Sequence, residues 1–178
     1  MKTYVALLRG INVGANNRLP MKTLATMFSD AGCAEVRTYI ASGNVVFQAQ
    51  DRLARTLPKE ISARIRSDFE FETPVVLRSA EELDVVTRHN PFLVPGEDTK
   101  PLHVLFLAEK PKATSVARLD PDRSPPDAFQ VRGREIYLRC PNGAAHTKLT
   151  NAFFDAALKT VSTGRNWNTV LKLVALAR

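Results

Sequence analysis

Apolar positions change their period several times along the chain, and each change marks a predicted element. Thr3-Tyr4-Val5-Ala6-Leu7-Leu8 is a short, nearly continuous apolar run, as a buried strand requires. After a polar loop, Met21, Leu24, Ala25, Met27 and Phe28 recur at helical spacing. Pro20 sits in the first turn of that helix and Ala31-Gly32 supplies a glycine stop. Val36 to Ile40 and Val45 to Phe47 read as a hairpin closed by Ala41-Ser42-Gly43-Asn44. Leu53, Leu57, Ile61, Ile65 and Phe69 then recur every four residues, the strongest helical signal in the chain, with Asp51 as the expected N-cap. Pro74 to Leu77 is again strand-like. The order β-α-β-β-α-β predicts the split βαβ of a ferredoxin-like unit.

Residues 80–100 read as a connector, a short helix around Glu81–Val86 followed by a Pro- and Gly-containing stretch. The pattern then starts again. Leu102 to Leu107 is an apolar strand and Lys112 to Leu119 a short helix. Ala128 to Val131 and Glu135 to Leu138 are strands around Arg132-Gly133-Arg134, and Leu149, Phe153, Ala157 and Leu158 line a helix. Where a sixth strand is due, Thr163-Gly164-Arg165-Asn166 reads instead as the entry to a final helix with Trp167, Val170, Leu171 and Val174 on its apolar face. The expected architecture is α+β, an α/β sandwich of two tandem ferredoxin-like halves. They span 1–79 and 101–178, and the second ends in an extra helix.

Composition narrows the function classes. The 178 residues include 25 Lys and Arg against 18 Asp and Glu, a formal net charge of +7, so anionic partners are favoured. No long basic run points to nucleic acid in particular. Cys33 and Cys140 form no CxxC pair, and His89, His103 and His146 share no ligand spacing, so neither a metal nor a cofactor is expected. Arg9 and Gly10 interrupt the first apolar run, which excludes a signal-peptide form, and no window is long enough for a membrane span. A cytoplasmic protein is expected. Nothing in the chain fixes an oligomeric state.

Four polar clusters are candidates for chemistry. The loop Arg9–Asn17 holds Gly10, Asn12, Gly14 and Asn17, residues that accept positive φ and let backbone N–H groups converge on an anion. Ser42-Gly43-Asn44 lies at a hairpin tip. Cys140 to Lys148 is a second strand-to-helix junction, with Lys148 expected in the first helical turn. Arg165-Asn166-Trp167-Asn168 opens the last helix. Helix N-termini joined to a cationic side chain suit an anion. The predicted ligand is therefore a phosphate-bearing or other anionic small molecule, or a nucleic acid. Arg9, Lys148 and Arg165 would supply charge, and Trp167 would stack on a ring or support the wall. Each cluster also has a structural reading: asparagines that satisfy loop backbone, a core tryptophan, arginines paired with Glu35 or Asp155. Alternatives are a metal-independent transferase or hydrolase using His146 or Cys140 on a phosphorylated substrate, and a non-catalytic interaction module. No HExxH, GxSxG or GxxxxGK[ST] signature is present, so catalysis is left open.

Several stretches resemble a bacterial family, domain of unknown function 1697 (DUF 1697). They are Leu8-Arg9-Gly10-Ile11-Asn12-Val13-Gly14, Thr38 to Phe47, Pro101-Leu102-His103-Val104, Cys140-Pro141-Asn142-Gly143 through Lys148-Leu149-Thr150-Asn151, and Thr163 to Val170. Ala15 and Ala41 depart from the Gly and Gln common in that family. The resemblance implies two ferredoxin-like halves and implies no activity.

Overall fold

A computed structural model describes all residues, Met1–Arg178. The first seven elements are β1 (Lys2–Leu8), α1 (Met21–Asp30), β2 (Ala34–Tyr39), β3 (Asn44–Ala49), α2 (Asp51–Phe69), β4 (Val75–Ser79) and α3 (Ala80–Arg88). The next seven are β5 (Leu102–Leu107), α4 (Ala113–Val116), β6 (Ala128–Arg132), β7 (Glu135–Arg139), α5 (Asn151–Leu158), β8 (Ser162–Asn166) and α6 (Trp167–Ala177). Each set forms one four-stranded sheet, ordered β2-β3-β1-β4 and β6-β7-β5-β8, and every neighbouring pair is antiparallel. Two ferredoxin-like folds in tandem are therefore established. The chain divides into two compact units, Met1–Asp84 with Lys172–Arg178, and Val85–Leu171.

Two expectations are corrected. The sixth element of the second half is the strand β8, formed by the residues that the sequence suggested as a helix entry. A polar Ser-Thr-Gly-Arg-Asn segment carries no strand signal of its own. It becomes a strand because Ser162 to Asn166 pair with Leu107 to His103 along β5. Asp51 is the first residue of α2, not its cap. Gln50 precedes the helix, and the Asp51 carboxylate instead accepts from Lys2 Nζ and Tyr4 Oη, each at 2.8 Å.

In the first unit alternation divides the sheet. Ala6, Leu8, Val45, Phe47 and Val75 join Leu24, Phe28, Leu57, Ile61 and Ile65 from α1 and α2 in one core. The opposite face carries Val5, Leu7, Val46 and Val76 with Arg78, all buried. In the second unit Leu105, Leu107, Ile136 and Leu138 pack with Leu149, Phe154 and Leu158. There the opposite face carries Val104, Phe106, Tyr137, Thr163 and Arg165.

The internal duplication reaches single residues. Val5 pairs with Arg78 as Val104 pairs with Arg165. Each arginine donates Nη1 to the carbonyl of the residue before it, Leu77 or Gly164, at 2.7 Å. The next residue ends the strand and caps a helix. Ser79 Oγ accepts from Glu82 N at 3.2 Å, and Asn166 Oδ1 accepts from Thr169 N at 2.8 Å. The Glu82 carboxylate reciprocates on Ser79 N at 2.8 Å, completing a capping box. The C-terminal helix α6 is thus the counterpart of α3.

Candidate functional site

In the first unit the loop after β1 and the β2–β3 turn do come together. Leu8 N donates to Gly43 O at 2.8 Å, and Asn12 Nδ2 donates to Ala41 O at 2.9 Å. The polar side chains there serve the loop itself. Asn12, at φ 53°, also donates Nδ2 to Leu19 O at 2.9 Å and accepts from Leu19 N on Oδ1 at 2.8 Å. Asn17 Nδ2 donates to Gly10 O, and Asn44 Nδ2 to Tyr39 O and Ser42 Oγ. Thr73 Oγ1 donates to the carbonyl of Arg9 at 2.6 Å. Gly43 is required sterically, since a Cβ there would lie 2.7 Å from Leu8 Cβ at a φ of +81°. Gly10 and Gly14 meet no such obstacle and take positive φ in the exposed part of the loop. The asparagines of this cluster build the loop's shape.

In the second unit the predicted residues separate. Lys148 lies on the exposed loop before α5, ahead of the cap Thr150, rather than in the first helical turn. Ser162 reaches α5, accepting from Asn151 Nδ2 at 2.8 Å and donating to Asp155 at 2.6 Å. Gly164 shares that face, so Thr163 and Arg165 point away from it. The Arg165 guanidinium is buried and donates to Thr163 Oγ1 at 2.9 Å; burial pulls its pKa down to about 10, which leaves it cationic at neutral pH. Trp167 is 1% exposed, a core side chain with no open ring face for stacking. Asn168 Oδ1 accepts from Thr99 Oγ1.

What this unit does form is a cleft of about 330 Å³ on the helix-bearing face of its sheet. Two cross-strand rows make the floor: Leu138, His103 and Asn166, then Leu105 and Gly164. Ala144, Thr147, Leu149, Thr150, Asn151 and Arg165 complete the lining, with the Arg165 side chain alternating to the other face of β8. No carboxylate is among the lining residues. Thr150 caps α5 by accepting from Phe153 N at 3.2 Å, so the positive end of the helix faces the cleft. The loop wall is braced from outside. Ser124 Oγ accepts from Lys148 N at 3.0 Å and donates to Asp127 at 2.8 Å, and Arg123 Nε donates to Lys148 O at 3.2 Å. The Arg123 guanidinium also lies 3.9 Å from the Phe153 ring centroid.

Comparing the two copies explains the opening. Tyr4 holds the place of His103, Leu77 that of Gly164, and Asp51 that of Asn151 as first helical residue. In the first unit Tyr4 stacks on Phe47 with centroids 5.9 Å apart and bonds Asp51, while Leu77 packs on the core. Only Gln50 separates β3 from α2, whereas Cys140–Thr150 separates β7 from α5. A shorter side chain, a glycine and a delayed helix start leave space in the second copy that the first copy fills.

The sequence does not single out His103, Thr150 or Asn151 for chemistry, and Thr147 enters only as part of the Cys140–Lys148 cluster. Only His103 had a legible signal, as a polar residue interrupting an apolar strand. Cys140 does not qualify as a nucleophile. It is buried, and burial, then Asp127, pushes its thiol pKa up rather than down. His146 is exposed and does not line the cleft. No cluster of His, Cys, Asp and Glu has the makings of a metal site. No helix is long and apolar enough to cross a membrane.

Fold and cleft define an α+β protein of two ferredoxin-like units, the second of which keeps an open pocket. The chain belongs to the family described as Protein of unknown function (DUF1697), which matches residues 1–137. That match takes in His103 and Leu105 and ends one residue before Leu138. Among solved structures, the chain is similar to the conserved bacterial protein SP0830 from Streptococcus pneumoniae, at 22% identity and a TM-score of 0.74, with 99% of each chain covered. The likeness is one of fold. No curated protein matches the chain.

Proposed function

We propose that this protein binds a small anionic molecule in the cleft of its second unit. The observation that carries the reading is the composition of the lining. The start of α5, His103, Thr147 and Asn166 offer polar contacts, and no Asp or Glu opposes a negative charge. Leu105, Leu138 and Leu149 supply apolar wall for the rest of the molecule. The volume suits a small metabolite-sized ligand and is too small for a polymer to enter. The net charge of +7 favours the approach of anions.

The test is thermal unfolding of the wild-type protein and Gly164→Val against inorganic phosphate, phosphosugars, aryl carboxylates, nucleotides and short oligonucleotides at two salt concentrations. A ligand of the folded state raises the midpoint by mass action. The reading expects a small anion to do so for the wild type and not for the filled variant. Shifts confined to oligonucleotides and steeply salt-dependent would overturn it in favour of nucleic acid, and so would silence across the panel.

A further inference from the structure

His103 is the one lining side chain able to change charge near neutral pH. Its Nδ1 lies 3.2 Å from Pro101 O. A carbonyl oxygen only accepts, so this contact keeps a hydrogen on Nδ1 and leaves Nε2 as the nitrogen that meets an occupant of the cleft. The same carbonyl accepts from Cys140 N at 2.8 Å, which ties it to the end of β7. The anchor is therefore part of the sheet edge and does not depend on the mobile end of a side chain.

A neutral ring held this way presents a lone pair from Nε2, which repels an oxyanion. A protonated ring presents an N–H there, which binds one. The cross-strand neighbours of His103 are Leu138 and Asn166, neither ionisable. The charged groups on the surrounding elements are Glu135 and Arg139 on β7, Arg165 on β8, Asp155 on α5, and Lys148 with His146 on the loop. Glu135, Arg139 and Arg165 alternate with the inward residues of their strands and so lie on the other face, Asp155 is engaged by Ser162, and Lys148 and His146 are exposed. None of them lines the floor beside His103 with its charged group, so its ring is the group placed to answer the charge of a ligand.

We infer that the cleft takes an oxyanion carried on an apolar body, a carboxylate, sulfonate or phosphate, and that binding draws a proton onto His103 Nε2. The inference rests on the proposed anion-binding role and adds the ligand's head-group chemistry and its coupling to pH. The sign follows from linkage. An anion that prefers the imidazolium is bound together with a proton wherever the free ring is neutral. Affinity is full where the free ring is already protonated, and it falls about tenfold per pH unit above that range.

The experiment uses the full chain, nitrogen-15 labelled, with benzenesulfonate, benzoate and phenyl phosphate as probes. The sulfonate does not titrate near neutrality, so any proton taken up with it belongs to the protein. Long-range proton–nitrogen spectra at about pH 8 are expected to show the Nδ1–H tautomer for the resonance that disappears in His103→Gln. On adding the sulfonate, Nε2 should become protonated. Calorimetry in buffers of different ionisation enthalpy should then give an uptake of about one proton per ligand at that pH, vanishing in acid and in the His103→Gln variant. An Nε2–H tautomer, saturable binding without proton uptake, or uptake that persists in His103→Gln would overturn this inference while leaving the anion site standing. Failure of all three probes to bind a protein with the expected tautomer would overturn both readings.

Discussion

Leu77 and Gly164 hold the same position in two copies of one fold. Each precedes a buried arginine, each lends that arginine its carbonyl at 2.7 Å, and each faces the helices of its own unit from the fourth strand. Leu77 fills its place and Gly164 leaves it open. Valine at 164 should reverse that difference. Its Cβ would start 2.8 Å from Leu105 Cδ2, the far end of a flexible side chain, so the site yields at a cost of about 1–3 kcal/mol of overpacking. Gly164→Val is expected to fold, to unfold at modestly lower denaturant, and to lose at least about tenfold in small-anion affinity. Urea unfolding and calorimetry on the same preparations check both halves.

Asn12 should matter for stability and not for charge recognition. Its amide bonds Leu19 O, Ala41 O and Leu19 N, and Leu19 is 1% exposed. Asn12→Ala removes all three and leaves backbone groups of Leu19 without this partner, a loss of about 2–4 kcal/mol. Denaturant unfolding should show it, with anion binding by the second unit unchanged where the protein remains folded.

The glycines of the same region should respond unequally. Gly43→Ala forces a Cβ against Leu8 Cβ and Ile11 at φ +81°, whereas Gly14 has open space at φ +58°. Gly14→Ala is expected to cost about 1–2 kcal/mol of left-handed strain, and Gly43→Ala distinctly more, because the Leu8 backbone must move as well. Equal unfolding midpoints for the two variants would contradict this.

Both cysteines should be inert in the folded state. Burial, then Glu60, pushes the Cys33 thiol up to about 11, and burial, then Asp127, raises Cys140. At neutral pH both are protonated and shielded. A thiol reagent should label the native protein far more slowly than the unfolded chain, and Cys140→Ala should keep its response to a bound anion. Rapid native labelling at Cys140 would revive a nucleophile there.

Asp51 gives a pH signature. The hydrogen bond from Lys2, then that from Tyr4, holds its carboxyl below the usual carboxylate range. The ionised form is favoured on folding, so its contribution is present above the unfolded pKa of about 4 and is lost as pH falls through the lower folded value. The stability gap between wild type and Asp51→Asn should therefore close on acidification. Salt should narrow it too, since the Lys2 pair is exposed.

Periodicity alone determined the order of elements up to the last strand, and with it most of the duplication, because alternation along a strand and four-residue recurrence along a helix are local properties of the chain. Leu53, Leu57, Ile61 and Ile65 announce α2 wherever they are read, and the turn at Ser42-Gly43-Asn44 announces its hairpin. The final strand escaped that reading. Ser162 to Asn166 are strand only because β5 offers them an edge, and the same pairing turned Arg165 away from the face on which a ligand can sit. The cleft escaped for the same reason. His103, Leu138 and Asn166 are far apart in sequence and adjacent only through cross-strand register, and the space among them exists because Gly164 and a late α5 leave it unfilled. A cavity is a property of what several distant segments fail to occupy, and the tertiary structure alone decides that.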